Sequence, residues 1–387
     1  MSDQGRRSFL RRLAGVLALG GLSTQGRFVP AARAESSSEP QPMDPEPIPV
    51  VVLRLTHSHV HWLLGWARDN RALCIVGVYE PDEALGRKML EQYGMDVSLL
   101  SADLESLLSK TDAQAALLYG SIAEHEPHGM AALSAGLHVM VEKPLALDAE
   151  AGRRLAKAAA EAQLQLLTNY ETTWYASAAE ARDWIASQES FGPIRRIVAN
   201  AGHPGPIEIG CPPEFLEWLT DPRQNGAGAL TDFGCYGALW STWLLEGRRP
   251  EAVTAVAQRT KPELYPDVDD DATLLIDYGD CTCVVQASWS WPVHRKDLAV
   301  YGTGGLARTF DGSRWEHQLT DDPKASEHRA VDLPLADTVP FEHFAAVLRG
   351  EREPHPQLGP AFNLTVLEIL DAARRSAASG AREPLER

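Results

Sequence analysis

From Pro49 to about Asn169, short apolar runs alternate with helix-patterned segments, and this alternation restricts the fold more than any other feature of the chain. Five runs have strand length: Val50–Leu55, Leu73–Tyr79, Ala115–Tyr119, His138–Val141 and Leu164–Thr168. Helices are expected between and after them, over His61–Asp69, Asp82–Tyr93, Asp103–Ser109, His125–Ala135 and Ala149–Ala162. Strands joined through helices pair in parallel, and their nearly unbroken apolar character suits a sheet covered on both faces. Residues 49–169 therefore predict an α/β, Rossmann-like doubly wound domain. After Tyr175 the texture changes. A helix at Ala178–Ser187 precedes strands at Ile194–Ala201, Ala252–Arg259, Ala272–Tyr278, Thr282–Ser290 and Asp297–Tyr301. These predict a second, α+β domain over residues 170–387 with an open, mostly antiparallel sheet, completed by helices at about Phe341–Arg349 and Ala361–Ser379.

The 34 residues at the start carry a different message. Arg6-Arg7-Ser8-Phe9-Leu10-Arg11 is a twin-arginine pattern, followed by an apolar run from Leu13 to Leu22 and a small-x-small site, Ala32-Arg33-Ala34. This order predicts an export signal over residues 1–34 and a periplasmic or secreted mature protein. Residues 35–48, rich in proline, serine and glutamate, predict a disordered linker. Five cysteines, odd in number and without CxxC spacing, do not suggest a disulfide framework. A net charge of −17 argues against nucleic acid or an anionic membrane as partner. No stretch of 18 apolar residues predicts a spanning helix.

Two strings carry chemistry. HVMVEKPLAL, residues 138–147, sets Glu142 and Lys143 at the carboxyl end of a buried strand, where open α/β sheets bind ligands. Pro144 ends the ladder and is a candidate for a cis bond. The second string, GAGALTDFGCY at 226–236, puts Asp232 and Tyr236 four residues apart on one face of a helix start. With these strings, and with AEHEPHGMAALSAGLHV and the closing EILDAARRSAASG, the chain resembles the Gfo/Idh/MocA family from about Pro49 to its end. The resemblance implies that Lys143 is the catalytic lysine and that Asp232 and Tyr236 face the substrate beside the nicotinamide. It also places His125 at the family's usual histidine on the nucleotide side. Where histidine is common four residues after the aspartate, this chain has Tyr236. A nearby ammonium lowers a phenol's pKa, so Tyr236 is expected as proton acceptor, Lys143 as its activator and Asp232 as substrate orienter.

The cofactor loop departs further. The family's G-x-G-x-x-G pattern falls on Thr56, Ser58 and His61, so every glycine is replaced. Thr56 and Ser58 offer hydroxyls, while His59 and His61 stand where a helix N-terminus attracts phosphate. A cofactor loop built differently, a loop that has lost its cofactor and a metal site all remain open. For the metal, His57, His59 and His61 alternate, but a turn into helix would not keep all three on one face. No carboxylate-rich partner is evident, since Asp269-Asp270-Asp271 look like a solvated loop. No metal is assigned. Glu80 ends the second strand, where an acid accepts from the ribose 2′-hydroxyl. Pro81 and Asp82 follow, with no adjacent arginine for a 2′-phosphate, so NAD is expected over NADP, with Glu142 and Lys143 completing the cofactor side.

The expected function is an NAD-dependent oxidoreductase acting on a hydroxyl or carbonyl of a sugar, glycoside or cyclitol, functioning as a homo-oligomer through the open sheet. Asn169, Tyr170, Trp174, His203 and Trp218 are candidates for the substrate pocket. Two alternatives are a redox-neutral enzyme that cleaves glycosides with bound NAD and a non-catalytic sugar-binding protein without NAD. The export expectation is tested directly. Replacing Arg6 and Arg7 with lysine should leave precursor in the cytoplasm in a fractionation blot; unchanged periplasmic protein beginning at Glu35 would refute it.

Overall fold

The computed structural model describes residues 45–385. The twin-arginine segment and residues 35–44 of the expected linker lie outside the described residues. Ile48, taken above as the end of that linker, instead opens the first strand: it is buried and pairs with Leu73. Six strands, β1 (Ile48–Leu53), β2 (Leu73–Tyr79), β3 (Leu100–Ser101), β4 (Ala115–Leu118), β5 (His138–Glu142) and β6 (Leu166–Asn169), form an all-parallel sheet in the order β3-β2-β1-β4-β5-β6. Val50, Val51, Val52 and Leu53 are wholly buried, as a strand covered on both faces requires. The strand order reverses at β1, between β2 and β4, which opens a crevice at their carboxyl ends.

Helices α1 (Val60–Asp69), α2 (Glu83–Gln92), α3 (Leu104–Lys110), α4 (Ile122–Ser134) and α5 (Ala149–Ala162) fill the connections. Their starts are written in the sequence. The Asp82 carboxylate accepts from the amides of Ala84 and Leu85 at 3.0 and 3.1 Å, and Asp148 accepts from Ala151 at 2.8 Å. Ser121 and Glu124 form a capping box at α4.

The second sheet has nine strands: β7 (Ile194–Gly202), β8 (Ala252–Gln258), β9 (Asp271–Asp277), β10 (Thr282–Ser288), β11 (Arg295–Gly302), β12 (Gly305–Thr309), β13 (Arg314–Leu319), β14 (Ser326–Arg329) and β15 (Glu383–Pro384). Their order is β14-β13-β12-β11-β7-β10-β9-β8-β15, and β7 with β10 is the parallel pair in an otherwise antiparallel sheet. Between β6 and β8 lie α6 (Ala176–Ser187), α7 (Pro213–Leu219), α8 (Pro222–Asn225) and α9 (Ala229–Leu244); α10 (Pro340–Leu348) and α11 (Pro360–Ser379) follow β14. All sixteen residues of α9 are buried, because it is packed between the sheet and α11. A helix so enclosed is mostly apolar and shows no polar stripe facing solvent, its few polar side chains being buried too.

Two expectations are corrected here. The last helices do not simply complete the second sheet: α10 inserts Phe341, Phe344 and Ala345 into the core around Val50, Val52 and Leu63 of the first. α11 divides its contacts, giving Val366, Ile369 and Leu370 to the second core and Leu367 to the first. A parallel sheet needs both faces covered, and the C-terminal segment supplies part of that cover. Nor is Asp269-Asp270-Asp271 a solvated loop. Asp269 accepts from the amides of Gly228 (2.8 Å) and Leu230 (2.7 Å), capping the start of α9, and Asp270 is fully buried and accepts from Thr260 and Lys261. Gly228 is required because a Cβ there would lie 1.8 Å from the Asp269 carbonyl oxygen. Asp269→Ala should therefore cost about 1–2 kcal/mol, the usual scale for a lost helix cap. A lower urea midpoint would register it, and an unchanged midpoint would show the cap to be idle.

Candidate active site

Lys143 follows β5 directly, and the Lys143–Pro144 peptide bond is cis. Its ammonium is buried and bonds the Asp232 carbonyl oxygen at 3.0 Å together with Asp232 Oδ1. The other oxygen, Asp232 Oδ2, accepts from Trp289 Nε1 at 2.9 Å. Burial alone would push the ammonium down and the carboxyl up; their pairing outweighs it, raising Lys143 and lowering Asp232. Lys143 Nζ stands 5.1 Å and Lys296 Nζ 4.6 Å from the centre of the Tyr236 ring. Lys296 is itself paired with Glu171; burial raises that carboxyl, but the ammonium prevails and holds it at about 2.

The structure thus brings Lys143, Asp232 and Tyr236 together, yet it changes the expected role of the tyrosine. The ammonium groups face the ring, not the hydroxyl. Burial, followed by the charges of Glu171, Cys235, Asp232 and Glu142, lifts Tyr236 well above its ordinary value. That direction is the one of a phenol that keeps its proton at neutral pH, opposite to the acidification expected from Lys143.

A second group surrounds Glu142, which pairs with Asn169 across β5 and β6. Glu142 Oε1 accepts from Asn169 Nδ2 at 2.8 Å and Oε2 bonds His59 Nδ1 at 2.9 Å. Burial raises this carboxyl, but His59 and Asn169 overcome it and hold it down. Asn169 Oδ1 in turn accepts from Trp174 Nε1 at 3.0 Å. His57 lies 4.6 Å from His59 between ring centres and packs against Phe215 and Trp218 of α7; burial keeps it neutral. Trp218 Nε1 reaches the Thr56 carbonyl oxygen at 3.4 Å. Tyr170 is buried 5.8 Å from Tyr236, with its hydroxyl unpartnered. His203 rests edge-on against Phe233, and burial takes it to about 4. His61 turns away to Tyr93, bonding its hydroxyl at 2.8 Å. Ser58 is half-buried.

The two ends of a dinucleotide would meet different surroundings. On the phosphate and nicotinamide side, Thr56 Oγ1 in the loop and His125 Nε2 are buried without a partner among the described residues. His125 Nδ1 donates to the Pro144 carbonyl at 3.0 Å, so Nε2 carries the lone pair, and burial draws the ring to about 4. This end fits. The adenosine end does not fit as placed. Glu80, expected on the ribose, is fully buried and accepts from the amides of Leu55 (2.9 Å) and Asp82 (3.1 Å) and from the Arg54 guanidinium. Arg54, at φ +71°, also reaches Glu124 at 2.9 Å. The amides of the α1 start are committed too: His59 to His57 Nδ1, Val60 to His57 O, His61 to Ser58 O and Trp62 to His59 O. The expectation that no arginine adjoins Glu80 is corrected, because Arg54 reaches it from another strand end.

Sequence reasoning missed Arg54, Glu171, Trp289 and Lys296. Arg54 left one signal: a charge set inside the apolar run VVVLRL. The other three are brought in by the second sheet and the turn after β6, which spacing along the chain does not report.

Comparison with known proteins agrees with this architecture. Residues 58–170 match the model of an oxidoreductase family with an NAD-binding Rossmann fold, and residues 178–308 match the GFO/IDH/MocA C-terminal domain. A trans-1,2-dihydrobenzene-1,2-diol dehydrogenase from Sus scrofa is 26% identical over 300 residues, 73% of this chain and 82% of that protein. A 1,5-anhydro-D-fructose reductase from Ensifer adhaerens is 28% identical over 192 residues, 50% and 55% of the two chains. Among solved structures, an aldose-aldose oxidoreductase from Caulobacter crescentus complexed with glycerol superposes with a TM-score of 0.74 at 20% identity, covering 88% of this chain and all of the other. An inositol dehydrogenase homologue from Azotobacter vinelandii complexed with NAD+ gives 0.74 at 22% identity, over 87% and 96%. The two family matches follow one another in order and span more than half of the sequence, so the chain belongs to the GFO/IDH/MocA family of oxidoreductases.

Proposed function

We propose that this chain is an oxidoreductase acting at an alcohol or carbonyl carbon of a sugar, glycoside or cyclitol, with NAD as its dinucleotide, and that it works after export through the twin-arginine route. The observation that carries this reading is the buried Lys143–Asp232 pair beside Tyr236, set where β5 and α9 meet. An ammonium has three donors. Asp232 takes two of those of Lys143 and leaves one for a substrate oxygen. The Tyr236 hydroxyl forms no hydrogen bond among the described residues. It is the second donor. Both groups hold their protons at neutral pH, so the site as charged suits protonating the oxygen of a carbonyl as it becomes an alcohol. A bound nicotinamide would supply the hydride. Asp232, held by Trp289, fixes the ammonium and orients the substrate.

NAD is preferred to NADP because the Arg54 guanidinium is already neutralised by Glu80 and Glu124, which leaves it no charge for a 2′-phosphate. The relatives' dehydrogenase and reductase activities on diols and anhydro sugars support the substrate class. Val256, Leu275 and Tyr301 are exposed on the outer face of the second sheet, and we place a contact between copies of the chain there. A second reading, a sugar-binding protein without NAD, is favoured by one observation: the adenosine end is closed by Arg54 and the committed amides.

Lys143→Ala should lower the rate of carbonyl reduction by about 10²–10⁴-fold, the scale of a lost acid in proton transfer. Tyr236→Phe should cost less while leaving the melting temperature near that of the unaltered protein. Stopped-flow nicotinamide absorbance reads both, and a Lys143→Ala protein with an unchanged rate would end this assignment. Opening the adenosine end is the complementary test. Arg54→Ala frees the Glu80 carboxylate and should tighten NAD binding by about tenfold or more, since one charge-assisted hydrogen bond is worth about 1.5–3 kcal/mol. Fluorescence titration measures it. Equal affinities would show that Arg54 does not gate the ribose, and no binding by either protein would favour the second reading.

A further inference from the structure

We infer that His57, His59 and Glu142 form a binding site for one divalent transition-metal ion of the zinc class, at the carboxyl end of the parallel sheet. This goes beyond the oxidoreductase reading and does not depend on it. One donor atom from each residue lies within 4.8 Å of the others. The set combines two imidazoles with one carboxylate, a donor mixture that suits zinc and its neighbours rather than calcium or magnesium. His57 and Glu142 are each 2% exposed, while the His59 side chain keeps 29% of its surface. Three protein donors with one open rim leave a fourth position for water or a substrate oxygen, the arrangement of catalytic rather than structural zinc.

The geometry needs only small adjustment. A tetrahedral ion with bonds of about 2.1 Å spaces its donors by about 3.4 Å. The His59–Glu142 pair at 2.9 Å opens slightly, exchanging the shared proton for the ion, and the widest pair closes by side-chain rotation. The surroundings are those of a metal site. Asn169 holds the other Glu142 oxygen at 2.8 Å and is itself held by Trp174, a chain that fixes the carboxylate without occupying Oε2. The Lys143 ammonium on the adjoining residue is neutralised by Asp232. Such an ion would polarise an oxygen bound in the cleft.

The third histidine of the alternating set is the internal control. His61 bonds Tyr93 and stands outside the group. The full chain, stripped with dipicolinate, should take up one equivalent of Zn2+ in a calorimetric titration and develop tetrahedral Co2+ absorption. Glu142→Gln and His57→Asn should each weaken Zn2+ by more than about tenfold, and His61→Asn should leave it unchanged. Zn2+ should raise the melting temperature of the unaltered protein but not that of Glu142→Gln. X-ray absorption of the zinc-loaded unaltered protein, which needs no variant to fold, should count two imidazoles and a carboxylate. No stoichiometric uptake, sulfur scattering from a cysteine, or equal loss in His61→Asn would each overturn the proposal.

Discussion

A lysine and an aspartate buried together at the meeting of the two sheets hold this site in place. Lys143 leaves the end of β5 in the parallel sheet, while Asp232 stands in the first turn of α9, which packs on the open sheet. Neither charge could stay buried alone; removing one partner of such a pair typically costs about 3–5 kcal/mol. The pair therefore fixes the end of β5 against the start of α9, and other features follow from that join. Asp269 must cap α9, Gly228 must admit the Asp269 backbone, and Trp289 must reach the second carboxylate oxygen. Tyr236, one turn after Asp232, then falls beneath the same ammonium.

Much of this was legible in the sequence, and the boundary of legibility has a physical form. Strands with both faces buried are apolar runs, so β1 and β4 were read to within two residues; β2, an apolar run, and α5, an alanine-rich helix capped by Asp148, were read to the residue. β3 was missed because two residues carry no pattern. The strands β12 to β14, at one end of the second sheet, were missed because they are short and mix polar with half-exposed positions. The catalytic-side residues were legible because EKP and GAGALTDFG are local strings. What surrounds them was not. Lys296 and Trp289 arrive from the second sheet, and Glu171 from the turn after β6, so no spacing along the chain announces them. The expected acidification of Tyr236 failed for the same reason: a sequence places a lysine near a tyrosine but does not say whether it meets the hydroxyl or the ring.

The missing glycines of the first loop now have a structural account. Glycine there lets the backbone approach a pyrophosphate and leaves amides free to bind it. In this chain the corresponding amides bond within the loop, and α7 brings Phe215 and Trp218 against His57. These amides are thereby withdrawn from backbone recognition. Arg54 closes the side of Glu80 as well, where its guanidinium spans Glu80 and Glu124. Burial pushes the Glu80 carboxyl up despite that ion pair. A dinucleotide that displaced Arg54 would have to replace this compensation with its own hydroxyl bonds. Closure at this end is thus an energetic barrier as well as a steric one.

Glu142 and the lysine beside it belong to different groups of the site. In the string EKP the two residues are adjacent, but the strand's alternation sends their side chains to different company. Lys143 joins Asp232 and the second sheet; Glu142 stays with the first, between Asn169 and the histidine loop. A carboxylate buried this deeply must be balanced by something positive. In this chain the neighbour is His59 Nδ1, sharing a proton at 2.9 Å, with the neutral His57 ring close by. A proton and a divalent ion are two solutions to one electrostatic problem, and they compete for the same oxygen.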